Sequence, residues 1–251
     1  MSNELVDEKK KLTFSDVLKN ELVANEKALP SNFNQTRFVQ NAVALLNGNE
    51  TLAKFAQQYG TSQIKAGLMR GAYLGLDALN SECHLIPYGN KIQFIVDWRG
   101  AEKLCRKYST RPIKEMYSRV VRQGDELIEK IVDGKPSIDF KPLPFNDGAI
   151  IGAFAVCIFS DDSMIYDTMS LKELENTRKQ SKASNSPAWT KFTAEMYRKT
   201  VLRRLCKHIT LDFENPEQIK NFNDDADLPM ESSDVEVPDV IDAVDVVEVE
   251  E

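Results

Sequence analysis

Residues 83–97, CHLIPYGNKIQFIVD, decide the fold. Two runs rich in strand-forming residues flank Gly89-Asn90, and this pair tolerates the backbone conformations that a tight turn demands. The stretch predicts a β-hairpin with a short turn. On both sides of it the apolar spacing changes from two residues to three or four, so the hairpin is set between helices.

Upstream, Thr13 precedes Phe14, Val17, Leu18 and Leu22, with Asp16 three residues on in capping-box style, and Pro30 closes the segment. A second helix carries Phe38, Val39, Ala42, Val43 and Leu46 and stops at Gly48. A third covers about Leu52 to Tyr59, and a fourth follows Ser62. That fourth helix holds Gly67, Gly71 and Gly75 at four-residue spacing, which strips side chains from one face. Each helical glycine costs about 1 kcal/mol against alanine, so three together imply close packing. A tight crossing inside one chain is expected, with a subunit contact as the alternative.

Downstream, Trp98 to Tyr108 is helical in spacing. Strands are expected near 112–122, 126–132, 150–159 and 164–167, with turns at Gln123-Gly124-Asp125, Asp133-Gly134 and Asp161-Asp162-Ser163. Ser170 and Glu173 form a capping box for a short helix, and Ser186-Pro187 opens a long one. The fold class is α+β: a helical N-terminal part, then a small antiparallel sheet of hairpin and meander packed with helices. Residues 1–34 read as an N-terminal helical arm, 35–220 as the core and 221–251 as a disordered acidic tail.

The tail carries dense like charge, one aromatic residue and no glycine, too little apolar surface to offset the entropy of ordering it. Within it Val240, Ile241, Val244 and Val247 fall on one face of a short helix, a candidate docking motif. No run of about 18 apolar residues predicts a membrane span, and the start MSNELVDEKKK lacks the apolar stretch of a signal peptide. Cys83, Cys105, Cys157 and Cys206 are widely spaced, and His84 and His208 are the two histidines. A reduced, cytoplasmic, metal-free and cofactor-free protein is expected.

Charge locates the chemistry. The whole chain is −7, yet residues 221–251 hold 12 of its 39 Asp and Glu and none of its 32 Lys and Arg, which leaves residues 1–220 at +5. Two clusters exceed that total. Residues 91–122 carry nine Lys or Arg against three acids, and residues 172–207 carry ten against three.

On the helix after Trp98, Arg99, Lys103 and Arg106 share a face opposite Ala101, Leu104, Cys105 and Tyr108. On the helix after Pro187, Ala194, Tyr197, Val201, Leu205 and His208 form a packing stripe. Trp189, Phe192, Met196, Lys199, Arg203 and Lys207 form a second, in which aromatics lead into cations. Trp189 reads as core, whereas Trp98 is open between core and stacking roles.

No phosphate-binding glycine loop exists, because Gly134-Lys135 is followed by Pro136. Lysine and arginine neutralise phosphates, and flat rings stack on bases without demanding a sequence. The pattern therefore favours non-specific binding of a nucleic-acid strand. A metal-dependent nuclease using acids such as Asp161-Asp162 is one rival; a strand-binding protein that does not anneal is the other.

At these residues the chain resembles the RecT/Red-beta family of phage and prophage single-strand annealing proteins. The matching stretches are YLGLD (73–77), ECHLIPYGNKIQF (82–94), WRG (98–100), PAW (187–189) and EMYRKTVLRRLCK (195–207), within about residues 35–210. Trp98-Arg99 stands where the family often has Tyr-Lys, and Ala188 separates Pro187 from Trp189, which are often joined there.

The resemblance implies a recombinase that is not an enzyme. It would bind single-stranded DNA and annealed duplex without ATP and assemble as a homo-oligomer, a ring or helical filament. A partner exonuclease and a host single-strand-binding protein would be further partners. Lys91, Arg99, Lys199, Arg203 and Lys207 match basic positions of the family pattern. The full set of expected DNA-binding residues is Tyr88, Lys91, Trp98, Arg99, Lys103, Arg106, Arg111, Lys114, Lys191, Arg198, Lys199, Arg203, Arg204 and Lys207.

Overall fold

A computed structural model describes residues 12–181 and 184–226, with the backbone alone for 223–226. The start of the expected arm and the expected tail from 227 onward lie outside the described residues.

Four helices open the chain: α1 (Phe14–Ala24), α2 (Gln35–Gly48), α3 (Glu50–Tyr59) and α4 (Ser62–Leu74). The Thr13 hydroxyl accepts from the Asp16 N–H while the Asp16 carboxylate accepts from the Thr13 N–H, which satisfies two donors at the start of α1. The Asn34 and Asn49 side chains cap α2 and α3 by accepting from the Arg37 and Leu52 N–H groups. Leu18 and Leu22 of α1 are fully enclosed with Phe38, Leu52, Phe55, Ile64 and Leu68 in one core.

The hairpin β1 (Cys83–Tyr88) and β2 (Lys91–Val96) turns tightly at Gly89-Asn90, Tyr88 facing Lys91 across it. The glycine face of α4 meets this hairpin within the same chain. A Cβ on Gly67 would lie 2.6 Å from the Leu85 side chain, and one on Gly71 3.1 Å from the Leu76 carbonyl oxygen. Gly75 ends the helix rather than extending the face: it takes the left-handed conformation at φ +69° with Pro30 against it.

Helix α5 (Trp98–Tyr108) follows, capped by Asp97, whose carboxylate accepts from the Arg99 N–H. Gly100 is where α5 presses on the preceding turn, since a Cβ there would sit 2.0 Å from the Glu82 carbonyl oxygen. Strands β3 (Ile113–Arg122), β6 (Ile150–Phe159) and β7 (Met164–Ser170) make an antiparallel sheet in the order β3-β6-β7. Between β3 and β6 runs a second hairpin, β4 (Glu126–Val132) with β5 (Lys135–Lys141).

The expected meander is therefore interrupted. β5 is a strand the sequence reading did not include; Pro136 breaks its strand pattern, yet it pairs with Ile131 next to the Asp133-Gly134 turn of an isolated two-stranded ladder. Phe140 of β5 lies edge-on to Phe154 at 4.9 Å, so this hairpin covers one face of the three-stranded sheet.

The other face carries α6 (Leu171–Gln180), α7 (Pro187–Lys191) and α8 (Thr193–Cys206). Ser170 and Glu173 form the expected capping box of α6. The long helix expected after Ser186-Pro187 is two helices. The chain leaves helical geometry at Phe192, which lets Trp189 bury completely while Phe192 stays 62% exposed. Pro187 holds the first helical position, but the enclosed Ser186 hydroxyl caps nothing. The packing stripe also ends sooner: Tyr197, Val201 and Leu205 are buried, whereas His208 lies beyond α8 and is exposed.

The last described helix, α9 (Pro216–Ala226), crosses the boundary drawn at residue 220. Asn221 is buried and Phe222 packs on Phe213, so residues 221–226 are helix and not the start of a tail. No helix among the described residues is long and apolar enough to cross a membrane.

Candidate nucleic-acid interface

The two basic clusters meet through the packing of α5 on α8. Cys105 of α5 and Val201, Leu202 and Leu205 of α8 share one apolar core, against which Trp98 and Ala101 pack. The Cys105 thiol points at the Cys206 carbonyl oxygen at 3.8 Å. Burying these faces turns the opposite side of α5 outward.

At the head of α5, burial pushes the Asp97 carboxyl up. Hydrogen bonds from His84 and the Arg99 N–H, with the charges of His84 and Lys199, outweigh burial and hold it below the usual range. Asp97 is 3% exposed and Lys199 lies on α8, so this carboxylate joins the hairpin, α5 and α8 in one electrostatic unit.

Along the outer face of α5 runs an open groove lined by Trp98, Arg99, Glu102, Lys103, Arg106 and Lys107. The Arg99 guanidinium lies 5.0 Å above the Trp98 ring, a cation–π pair that presents a flat charged surface. Trp98 is half-buried, and its indole N–H is enclosed with no hydrogen-bond partner in the structure.

Several cations of the groove have acidic neighbours. Lys103 bonds Glu82 at 2.7 Å, and Arg106 bonds Glu102 one turn away at 2.8 Å. Both cations are nearly half exposed while Glu82 and Glu102 are mostly enclosed, so a phosphate would meet the open side of each cation with its carboxylate still in place.

The remaining expected residues fall in four places. Tyr88 and Lys91 sit at the tip of the β1–β2 hairpin, where Gln63 of α4 bonds the Asn90 carbonyl oxygen, roughly 17 Å of strand from the α5 cap. Arg111 and Lys114 lie beyond the other end of α5 and pair with Asp161 and Asp162 in the β6–β7 turn. The Asp161 carboxyl drops to about 2, chiefly through hydrogen bonds from Ser163 and then from Arg111. These two acids therefore face cations and a hydroxyl.

Lys191 is exposed at the end of α7. On α8, Arg198 bonds Glu195 and the Ser118 carbonyl oxygen. Arg204 is bound most firmly: its guanidinium bridges both Asp167 oxygens at 2.5 and 2.6 Å and reaches Glu173 and the Thr168 carbonyl oxygen. That geometry ties α8 to β7 and makes Arg204 a structural cation. On α8 Lys199 and Arg203 are half-buried and Lys207 is exposed at the helix end, Arg203 and Lys207 with further partners.

Sequence reasoning passed over Lys107, although its position one turn after Lys103 is the signal for a shared face. Arg37, on the α2 side of α5, could not be placed without the tertiary fold. His84 bonds Asp97, His208 lies 3.9 Å from Asp167, and Cys83 and Cys206 lie in different cores.

The RecT family matches residues 36–237. Protein RecT of Escherichia coli (strain K12) is 30% identical over 202 residues, covering 74% of this chain and 71% of that protein. The match spans the hairpin, α5 and α8, and the chain belongs to the RecT family, whose members are DNA-recombination proteins that anneal single strands.

Proposed function

We propose that this protein binds single-stranded DNA in the α5 groove and pairs complementary strands without ATP, acting as an oligomer. The observation that carries the reading is the Trp98–Arg99 cation–π pair on an α5 face also lined by Lys103, Arg106 and Lys107, with the basic helix α8 packed against the other side of α5. Phosphates would lie along Arg99, Lys103, Arg106 and Lys107, leaving base edges open to a second strand. Correct pairs gain about 1.4 kcal/mol of stacking per step from the DNA itself, so no nucleotide fuel is required.

The sequence-independent character follows from the lining. Cations and a ring neutralise and stack, whereas reading a sequence needs donors and acceptors fixed against base edges. On this reading residues 35–220 and the rest of α9 form the DNA-binding unit.

The test is annealing of complementary labelled oligonucleotides followed by fluorescence, with and without ATP and magnesium. Accelerated duplex formation in the absence of both is expected. Strand binding without acceleration would leave a non-annealing binding protein, and magnesium-dependent shortening of the strands would support a nuclease.

A further inference from the structure

We propose that the cavity on the other side of α5 is a nucleobase pocket that takes one base of the bound strand. This rests on the single-strand reading above and deepens it by naming the group recognised.

The cavity measures about 360 Å³ and lies under residues 30–34, between the start of α2, the end of α4 and α5. That volume falls at the small end of ligand sites, which combine apolar walls with a few placed polar groups. Its floor is apolar: Leu76 and Leu104 are 1% exposed, and Phe33 tilts against Phe38 at 5.2 Å. Asn34, Asn80 and Arg37 stand on its rim.

Charge selects the kind of ligand. Of the three cations that line it, Lys103 pairs with Glu82 and Lys107 with Glu214 at 3.4 Å, while Arg37 is exposed at the rim. Asp77 adds a carboxylate to the lining. A phosphate entering here would meet carboxylates, whereas an uncharged flat ring would meet aliphatic and aromatic carbon with amide groups at its edge. Bases splayed from a single strand are recognised in this manner, by stacking and by hydrogen bonds to their edges.

Continuity ties the pocket to the groove. Lys103 and Lys107, one helical turn apart, line both. A strand with phosphates along Arg99 and Arg106 therefore crosses α5 beside the mouth of the cavity, and a base can turn over that ridge.

The test uses thymidine oligonucleotides carrying a single 2-aminopurine, with fluorescence read on binding. Asn80→Trp and Arg37→Trp place a ring at the mouth from opposite sides; both native residues are exposed, which protects folding. Leu79→Trp, exposed and outside the lining, is the control for a surface ring. The wild-type protein and Leu79→Trp should change the fluorescence at particular probe positions. Asn80→Trp and Arg37→Trp should both abolish that change. Asn80→Trp should lower affinity by about 5- to 100-fold, the loss of one stacked base, with its salt dependence intact. Wild-type binding with an unaltered signal and affinity in both Asn80→Trp and Arg37→Trp would overturn the pocket alone. A flatter salt dependence for Asn80→Trp would overturn it in favour of a phosphate site. No strand binding by the wild-type protein would overturn both the pocket and the function it rests on.

Discussion

His84 of β1 and Asp97 at the cap of α5 are hydrogen-bond partners: against burial, which raises the carboxyl, the His84 bond leads the interactions that hold it ionised, and the charge of Lys199 on α8 adds the smallest share. The coupling matters because it links the hairpin, α5 and α8. Asp97 also fixes the first turn of α5 by accepting from the Arg99 N–H, so the residue that presents Arg99 and the residue that senses Lys199 are one.

Asp97→Asn should therefore show a defined pH dependence. The folded pKa of Asp97 lies below its ordinary value of 3.8, so the carboxylate contributes stability above that value and loses it as pH falls through the folded pKa. Thermal melts from pH 7 down to pH 3 should show the variant less stable than wild type near neutrality. The gap should close below about pH 4. A gap that is constant with pH would show that Asp97 acts without its charge.

Arg204→Ala separates structural from ligand-facing cations. Breaking a partly buried, doubly bonded ion pair leaves Asp167 without its main partner and should cost about 2–4 kcal/mol of stability. The salt dependence of strand binding should be unchanged at temperatures where the variant is folded. Loss of slope with no change in melting would assign Arg204 to DNA instead.

The four cysteines are buried in the described structure, and burial pushes the Cys157 thiol up to about 11. At pH 8 they should be inert to a thiol reagent in the folded protein and react together on unfolding. Rapid native labelling of Cys105 or Cys206 would mean that the α5–α8 contact opens in solution.

Residues 227–251 carry ten Asp or Glu and no Lys or Arg, tethered to the end of α9. Glu214, just before α9, already touches Lys107 beside the proposed phosphate path, and the acidic segment follows after the 11 residues of α9. Removing 227–251 should tighten strand binding, most at low salt, because at 0.15 M a Debye length of about 8 Å weakens the competition. Equal affinity at the lowest salt would make the acidic segment a bystander.

Much of this fold was legible because local signals agreed with it. Gly89-Asn90 marked the hairpin turn, Thr13-x-x-Asp16 and Ser170-x-x-Glu173 marked helix starts, and the Gly67 and Gly71 spacing announced the crossing on Leu85 and Cys83. The break at Phe192 was not legible, since neither glycine nor proline signals it and its cause is the burial of Trp189 in a distant core. β5 was missed because Pro136 interrupts its pattern. The cationic residues were found by spacing. Their division into Arg204, locked to Asp167, and Arg99, stacked on Trp98, depends on partners 37 residues away in one case and on orientation in the other.

The central claim is that Arg99 and Lys199 hold the phosphates of a strand during annealing, and the Arg99→Ala/Lys199→Ala double variant tests it most directly. Strand affinity should be measured over a salt series beside ATP-free annealing of complementary oligonucleotides and a thermal melt. The double variant should flatten the slope of log K against log salt by about 1.4, two single-strand phosphate contacts at about 0.7 each, and should anneal more slowly at temperatures where the melt shows it folded. An unchanged slope and annealing rate in the folded variant would contradict the assignment of DNA to this surface.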